Sequence, residues 1–324
     1  MNGKFKLTNF MFDYNIQRPQ YSAWSQFAIL LTLCGFGLLL GGMISIKIAA
    51  YYLHVPAHEL ENAITKPENA HIAILFQFIS TFLFMAVPSF VFARIVNKHP
   101  FRFIGFNSAI SGKQVFIVIG IVLVCIMLSG ALSKLNEMIP ISKDLQKYFQ
   151  SKEEEYDKVV IGMAQMKTVT QYIVSLIIIA LMPAIFEEML FRGALQPIMI
   201  SLTKNVFIGI LITSILFSAM HGSYYGFLPR LALGIIIGYV YYLSKNLWLS
   251  AITHFLYNAF GVTQMYVMSR EGLLNSNTLS DDAYPLYYGL IAAAALYGLF
   301  IFFRRESEVI VSMYNIDKID ESSK

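Results

Sequence analysis

The sequence predicts an all-α, polytopic membrane helical bundle with about eight transmembrane helices, and three observations predict it. Of its 324 residues, 56% are hydrophobic and only 14% are charged. The apolar residues gather into runs of roughly 20, the length that crosses a bilayer as a helix. A soluble globular domain carries about 25% charged residues, so this chain is built for lipid. Its net charge of +4, without a lysine- or arginine-rich run, provides no basic groove for nucleic acid. Cys34 and Cys125 both fall inside apolar runs and read as small core hydrophobes rather than as a disulfide or metal pair.

The apolar runs lie at 27–50, 71–94, 114–133, 170–190, 205–221, 228–244, 247–268 and 284–303. Residues 1–23 are polar and aromatic and lack the basic start, short apolar core and small-residue cleavage site of a signal peptide, so the first run is expected to stay as an anchor. Arg94, Lys98, Arg102 and Lys113 follow the second run, Lys204 the fourth, Lys245 the sixth, and Arg304 and Arg305 the eighth. All of them fall on one side if both termini are cytoplasmic, which predicts that orientation in a bacterial inner (cell) membrane. The 134–167 loop fits the rule loosely, with six lysines against six acidic residues on the outer side. Within it, 140–167 mixes Leu145, Tyr148 and Phe149 with charges and reads as an amphipathic surface helix, a lid or a solvated connector. Three regions follow: an N-terminal membrane region at 1–167 (three helices plus the amphipathic loop), a core at 168–268 that holds the reactive residue types, and 269–324, the last helix and a polar tail.

The chemistry gathers in the middle region. Glu187, Glu188 and Arg192 stand directly after an apolar run, where charge is costly and usually marks a functional site facing the protein interior. Glu188 and Arg192 are an i,i+4 pair that can neutralise each other, whereas Glu187 lies about 100° round the helix without that partner. His221 closes the fifth run, and His254 and Asn258 share one face of the seventh. If the fourth and fifth runs form a hairpin turning near Leu202 to Lys204, Glu187 and His221 reach similar depths, roughly 24 and 27 Å from the turn. The same arithmetic puts Asn258 nearer the carboxylate than His254, although Gly193 and Pro197 could break the fourth helix and shorten its arm. A carboxylate, two imidazoles and a carboxamide suit hydrolysis. Glutamate can take a proton from water, imidazole can hold that water or ligate Zn²⁺, and amide or imidazole N–H groups can donate to an oxyanion. Gly234 and Gly238 form a Gly-x-x-x-Gly that lets a neighbouring helix approach closely.

The ordered set Glu187-Glu188-x-x-x-Arg192, Phe217-x-x-x-His221 and His254-x-x-x-Asn258, with Arg230 to Tyr239 and Leu247-Trp248 between them, resembles the CPBP family of intramembrane proteases. That CAAX-processing and bacteriocin-processing group includes the type II CAAX prenyl endopeptidases, and the resemblance covers about 168–268. It implies an abortive-infection-type helical bundle cleaving a peptide bond in or near the bilayer of a peptide or membrane-protein substrate. It assigns Glu187 and His221 to activating water, His254 and Asn258 to the oxyanion, and Glu188 and Arg192 to structural support. The family is commonly labelled metalloprotease, and Glu187, His221 and His254 could ligate zinc on paper, so Zn²⁺ stays open as a cofactor. The alternative is a non-catalytic membrane protein of immunity or scaffold type, or a transporter using the same charges. Such transporters often carry internal repeats, and none is visible in this chain.

Overall fold

The apolar runs fold as helices at all eight expected places. The computed structural model describes residues 21–64, 66–273 and 284–322, and among them no strand occurs. The long helices are α1 (Ala23–Leu53), α2 (Ala70–Val96), α3 (Gly112–Glu137), α4 (Lys143–Ala164), α5 (Val169–Thr203), α6 (Val206–Met220), α7 (Phe227–Ser244), α8 (Leu247–Glu271) and α9 (Leu286–Ser322). The amphipathic 140–167 stretch is α4, an ordered helix. Its first turn is capped by the Ser142 hydroxyl, which accepts from the Leu145 N–H.

Six helices, α1, α2, α3, α5, α7 and α9, are long and apolar enough to cross a membrane, and the chain is an integral membrane protein. The other two expected spans fall short for a reason tied to the chemistry. Helix α6 has 15 residues, about 22 Å of rise against a hydrocarbon core of about 30 Å, and ends at the residue before His221. Helix α8 is longer, at 25 residues, but Ser250, Thr253, His254 and Asn258 dilute its hydrophobicity. Residues that face outward on the spanning helices are large and apolar, among them Phe36 and Leu39 on α1, Phe116 and Leu123 on α3, and Leu290 and Tyr297 on α9. Such a surface would associate in water, and in a bilayer it meets lipid tails.

Three prolines sit inside long helices, and each follows a π-helical turn. Phe82–Ala86 precedes Pro88, Leu176–Leu181 precedes Pro183, and Met189–Leu195 precedes Pro197. Proline has no N–H to donate and its ring crowds the carbonyl four residues back, and a widened turn relieves both conflicts without breaking the helix. Helix α5 therefore runs unbroken for 35 residues. This corrects the expectation that Gly193 and Pro197 could interrupt it. Gly193 serves a different purpose: a Cβ there would lie 2.2 Å from Ile104 Cγ2, so its absence lets the short helix Pro100–Ile104 wedge against α5.

Helix α5 is the axis of the bundle. Leu190, Phe191, Ala194, Leu195 and Ile198 pack against Leu30 of α1, Phe92 of α2 and Phe217 of α6. Phe186 and Met189 turn towards Ala86, Ala93, Tyr241 and Leu247, and Ala180 meets Val262 of α8. A separate cluster joins α3, α7, α8 and α9 through Ile121, Cys125, Ile237, Leu249 and Phe303. Cys125 is buried in it as a free thiol, and Cys34 is a half-buried free thiol on α1.

Two hairpins orient the functional half, and both turn through the same two residue types. Lys204 and Lys245 end α5 and α7 in left-handed conformation at φ 54°, and Asn205 and Asn246 cap the next helix with their side-chain oxygens. The preceding hydroxyls behave alike, since Thr203 Oγ1 donates to the Met199 carbonyl at 2.8 Å and Ser244 Oγ to the Val240 carbonyl at 2.7 Å. The hairpin expected near Leu202 to Lys204 is therefore present, and its twin closes α7 onto α8 at the same end of the bundle.

Candidate active site

Glu187 and Glu188 are neighbours on α5, yet a turn of about 100° per residue sends them to different surroundings. Glu188 and Arg192 side chains are both 0% exposed, and Arg192 Nη1 donates to Glu188 Oε1 at 2.8 Å. Burying one charge without the other would cost several kcal/mol, so their one-turn spacing is what makes this stripe of α5 tolerable. Arg192 Nη2 donates onward to the Gly234 carbonyl at 3.0 Å, and its guanidinium lies 4.8 Å from the Phe217 ring centroid. One turn further along α5, Gln196 Nε2 donates to the Gly238 carbonyl, also at 3.0 Å.

The Gly-x-x-x-Gly of α7 thus does more than permit close packing. A Cβ on Gly234 would lie 2.9 Å from Ser214 Cβ, and one on Gly238 would lie 2.8 Å from Ile210 Cγ2 and 2.9 Å from Gln196 Oε1. Two bare backbone stretches, one turn apart, accept from two α5 side chains, also one turn apart. Gln196 was not singled out by sequence reasoning, although the 188, 192, 196 spacing along one helical stripe was the signal that could have found it.

His254 reaches the same carboxylate from α8. Its Nδ1 is 2.8 Å from Glu188 Oε1. Glu188 Oε1 already accepts from Arg192 Nη1, and as acceptor to the imidazole too it places the proton on Nδ1 and, in the neutral ring, the lone pair on Nε2. Nε2 faces Glu187 Oε2 at 3.9 Å. Glu187 is the less enclosed of the two glutamates, with 12% of its side chain exposed, and its Oε2 is buried without a hydrogen-bond partner.

His221 follows the last residue of α6 and is half-buried. Its Nδ1 is 2.8 Å from the Phe217 carbonyl, an acceptor, which again leaves the lone pair on Nε2. Glu187, His254 and Arg230 all lie within electrostatic reach of it. Phe217 ties the group together: its ring meets His221 edge-on at 4.9 Å and His254 at 5.6 Å. Asn258 is half-buried one turn beyond His254 on α8.

The structure therefore brings Glu187, Glu188, Arg192, His221 and His254 together from three helices. It also corrects the depth expected from straight helices, because His254 meets the glutamates and Asn258 stands a turn further on. The π turn at Met189–Leu195 acts in that direction, but it holds one extra residue for similar rise and shortens the arm from the hairpin to Glu187 by only about 1.5 Å, a small part of the difference. The zinc triad that the residue types allowed is not assembled. Among the described residues no three His, Cys, Asp or Glu side chains converge as a metal ion requires.

Residues 169–260 match the family model described as Type II CAAX prenyl endopeptidase Rce1-like. The matched stretch begins at the first residue of α5, extends into α8, and contains every residue of the cluster. It is consistent with a CAAX-protease family and implies a peptidase. No curated protein and no solved structure matches the chain.

Proposed function

We propose that the chain is an intramembrane endopeptidase in which Glu187 takes a proton from the attacking water. The observation that carries this reading is a pair of facing acceptors: Glu187 Oε2 is buried without a hydrogen bond inside the protein and stands 3.9 Å from Nε2 of His254. Two acceptors at that separation can share one water, which donates a proton to each and turns its own lone pair towards a carbonyl carbon. Glu188 holds the imidazole in the tautomer this needs, as a carboxylate does in other hydrolytic sites where one group positions the next. Arg192 donates to that same carboxylate oxygen.

The tautomers also redistribute roles among the expected residues. Both histidines donate through Nδ1, so neither neutral ring has an Nε2 proton to offer a developing oxyanion. The Asn258 carboxamide is the neutral N–H donor of the set and suits that position. His221 then serves as a second acceptor beside Glu187, able to take that proton from the Glu187 carboxyl and pass it to the amine leaving group.

With both termini in the cytoplasm of a bacterial cell membrane, the two Lys–Asn turns face the cytoplasm and His221 lies towards the outer side. Labelling of a Lys204→Cys variant by an impermeant reagent added outside intact cells would reverse that orientation. The function itself is tested by comparing the proteomes of membranes carrying wild type and Glu187→Gln. One or more precursors should accumulate with the variant while their cleaved fragments disappear. Identical fragment sets at equal protein levels would remove the endopeptidase reading.

A further inference from the structure

Outside the charged cluster lies a cavity of about 1200 Å³ at the end of the bundle opposite the Lys–Asn turns. It is walled by the end of α3, the loop after His221 and the start of α7, the outer half of α8, and the charged helix α4, which closes it from above. Small-molecule pockets run to roughly 300–1000 Å³, so this hollow accommodates a chain segment rather than a metabolite.

None of Glu187, His221, His254 and Asn258 lines the cavity, and two elements run from its wall towards them. Tyr257, Gly261, Gln264 and Met268 line it from α8 at spacings of three and four residues, and the next position down that stripe is His254. Tyr224, Tyr225 and Gly226 line it from the loop that begins at His221. Its inner end is marked by Arg230, which lies within electrostatic reach of His221.

Its charge is uneven. Glu137, Glu153 and Glu154 lie on the wall formed by α3 and α4, against one lining cation, Arg230. Glu153 accepts from Ser223 Oγ at 3.0 Å, and Phe149 stacks on Tyr224 with centroids 4.5 Å apart, so α4 is fastened to the loop after His221 rather than merely lying over it. Glu137 has Lys134 at 3.1 Å on the rim, which offsets part of its charge. Aromatic faces from Tyr224, Tyr225, Tyr257 and Phe260 share the cavity with these carboxylates. Carboxylates beside aromatic rings favour lysine and arginine side chains, by ion pairing and by cation–π contact.

We propose that this cavity receives the substrate peptide of the endopeptidase described above, and that its carboxylates select a segment bearing lysine or arginine. The inference rests on that reading of the site. Arg230 at the inner end keeps the cationic residues in the outer part, so they flank the scissile bond without occupying it.

Binding and cleavage separate the two ideas. Detergent-solubilised full-length Glu187→Gln protein is titrated with a fluorescein-labelled apolar peptide bearing lysines and with its counterpart bearing glutamates. The lysine peptide should bind about tenfold more tightly at low salt, and the difference should shrink as ionic strength rises. Adding Glu137→Lys and Glu154→Lys, both at exposed positions, should reverse the preference. Equal binding of the two peptides, binding of neither, or a preference that survives the double charge reversal overturns the proposal. In parallel, wild type is given a quenched-fluorescent uncharged peptide and the lysine peptide. Cleavage of both without lysine preference sinks the cavity proposal alone. Lysine-selective binding with no cleavage of any peptide sinks the endopeptidase reading and leaves the cavity's selectivity standing.

Discussion

Two faces of α5, one residue apart in sequence, differ in how their side chains are held. On the face of Glu188, Arg192 and Gln196, charged and polar groups are shut away from solvent and tied by donors and acceptors at 2.8–3.0 Å to each other, to His254 and to two α7 carbonyls. On the face of Glu187, a carboxylate oxygen is buried and left bare, 3.9 Å from an imidazole lone pair. The first arrangement resists change because removing any member strands another in a dry interior. The second leaves Glu187 outside that network, facing the imidazole of His254. Both faces keep buried polar atoms without a hydrogen bond inside the protein, Glu188 Oε2, Arg192 Nε and Gln196 Oε1 on the first and Glu187 Oε2 on the second, so what separates them is that each residue of the first is also held by a bond to a neighbour.

Substitutions should separate the two faces. Glu187→Gln, on the bare face, is expected to lower peptide cleavage by about 10²–10⁴-fold, the usual contribution of a positioned general base. Its thermal stability in detergent should equal or exceed that of wild type, and a marked loss of stability would place Glu187 with the scaffold. Arg192→Ala should act in the opposite sense, costing about 3–5 kcal/mol because Glu188 keeps its charge without its partner. The expected readout is loss of monodisperse protein on size exclusion, and an Arg192→Ala protein as stable as wild type would break the comparison. Gly238→Ala should cost about 1–3 kcal/mol, since its new methyl would press on Ile210 and Gln196. Cleavage per folded molecule should be kept, which a thermal melt paired with an active-fraction assay can check. Gln196→Leu is the mildest, at about 1 kcal/mol for the lost bond to the Gly238 carbonyl. Losing more activity than stability at that position would extend the reactive face further along α5 than drawn here.

Much of this architecture was legible in the residues, and the exceptions have a common cause. Apolar runs located every long helix outside α4, because length and hydrophobicity are properties of the segment itself. The residue types and order of Glu187, His221 and His254 likewise marked the site, since ionisable groups beside apolar runs stand out. What did not show was geometry that depends on a partner. Pro183 and Pro197 were visible, but the way α8 meets α5 was not, so straight-helix arithmetic set Asn258 rather than His254 beside the carboxylates. The spacing of Glu188 and Arg192 announced a pair, but the third member, His254, comes from 66 residues away. Gly234 and Gly238 were readable as a site of close approach, whereas their carbonyls become acceptors only when Arg192 and Gln196 are brought up to them. The cavity was illegible for the same reason, being the space left when α4 is fastened to the loop after His221.

The π turn at Met189–Leu195 also carries slack. A turn closed by i→i+5 bonds stores one residue more than a regular α-turn, so the helix keeps a spare between the two glutamates and the hairpin. Losing one residue after Arg192 can be absorbed by tightening the turn, with Glu187, Glu188 and Arg192 still facing their own sides, at the cost of the room the turn gives Pro197. Losing one from the regular stretch Met182–Glu188 has no such reserve, and everything on one side of the gap must swing by about 100° relative to the other. Helix α5 therefore has a length-tolerant segment directly beside a length-intolerant one, and the boundary between them falls at Arg192.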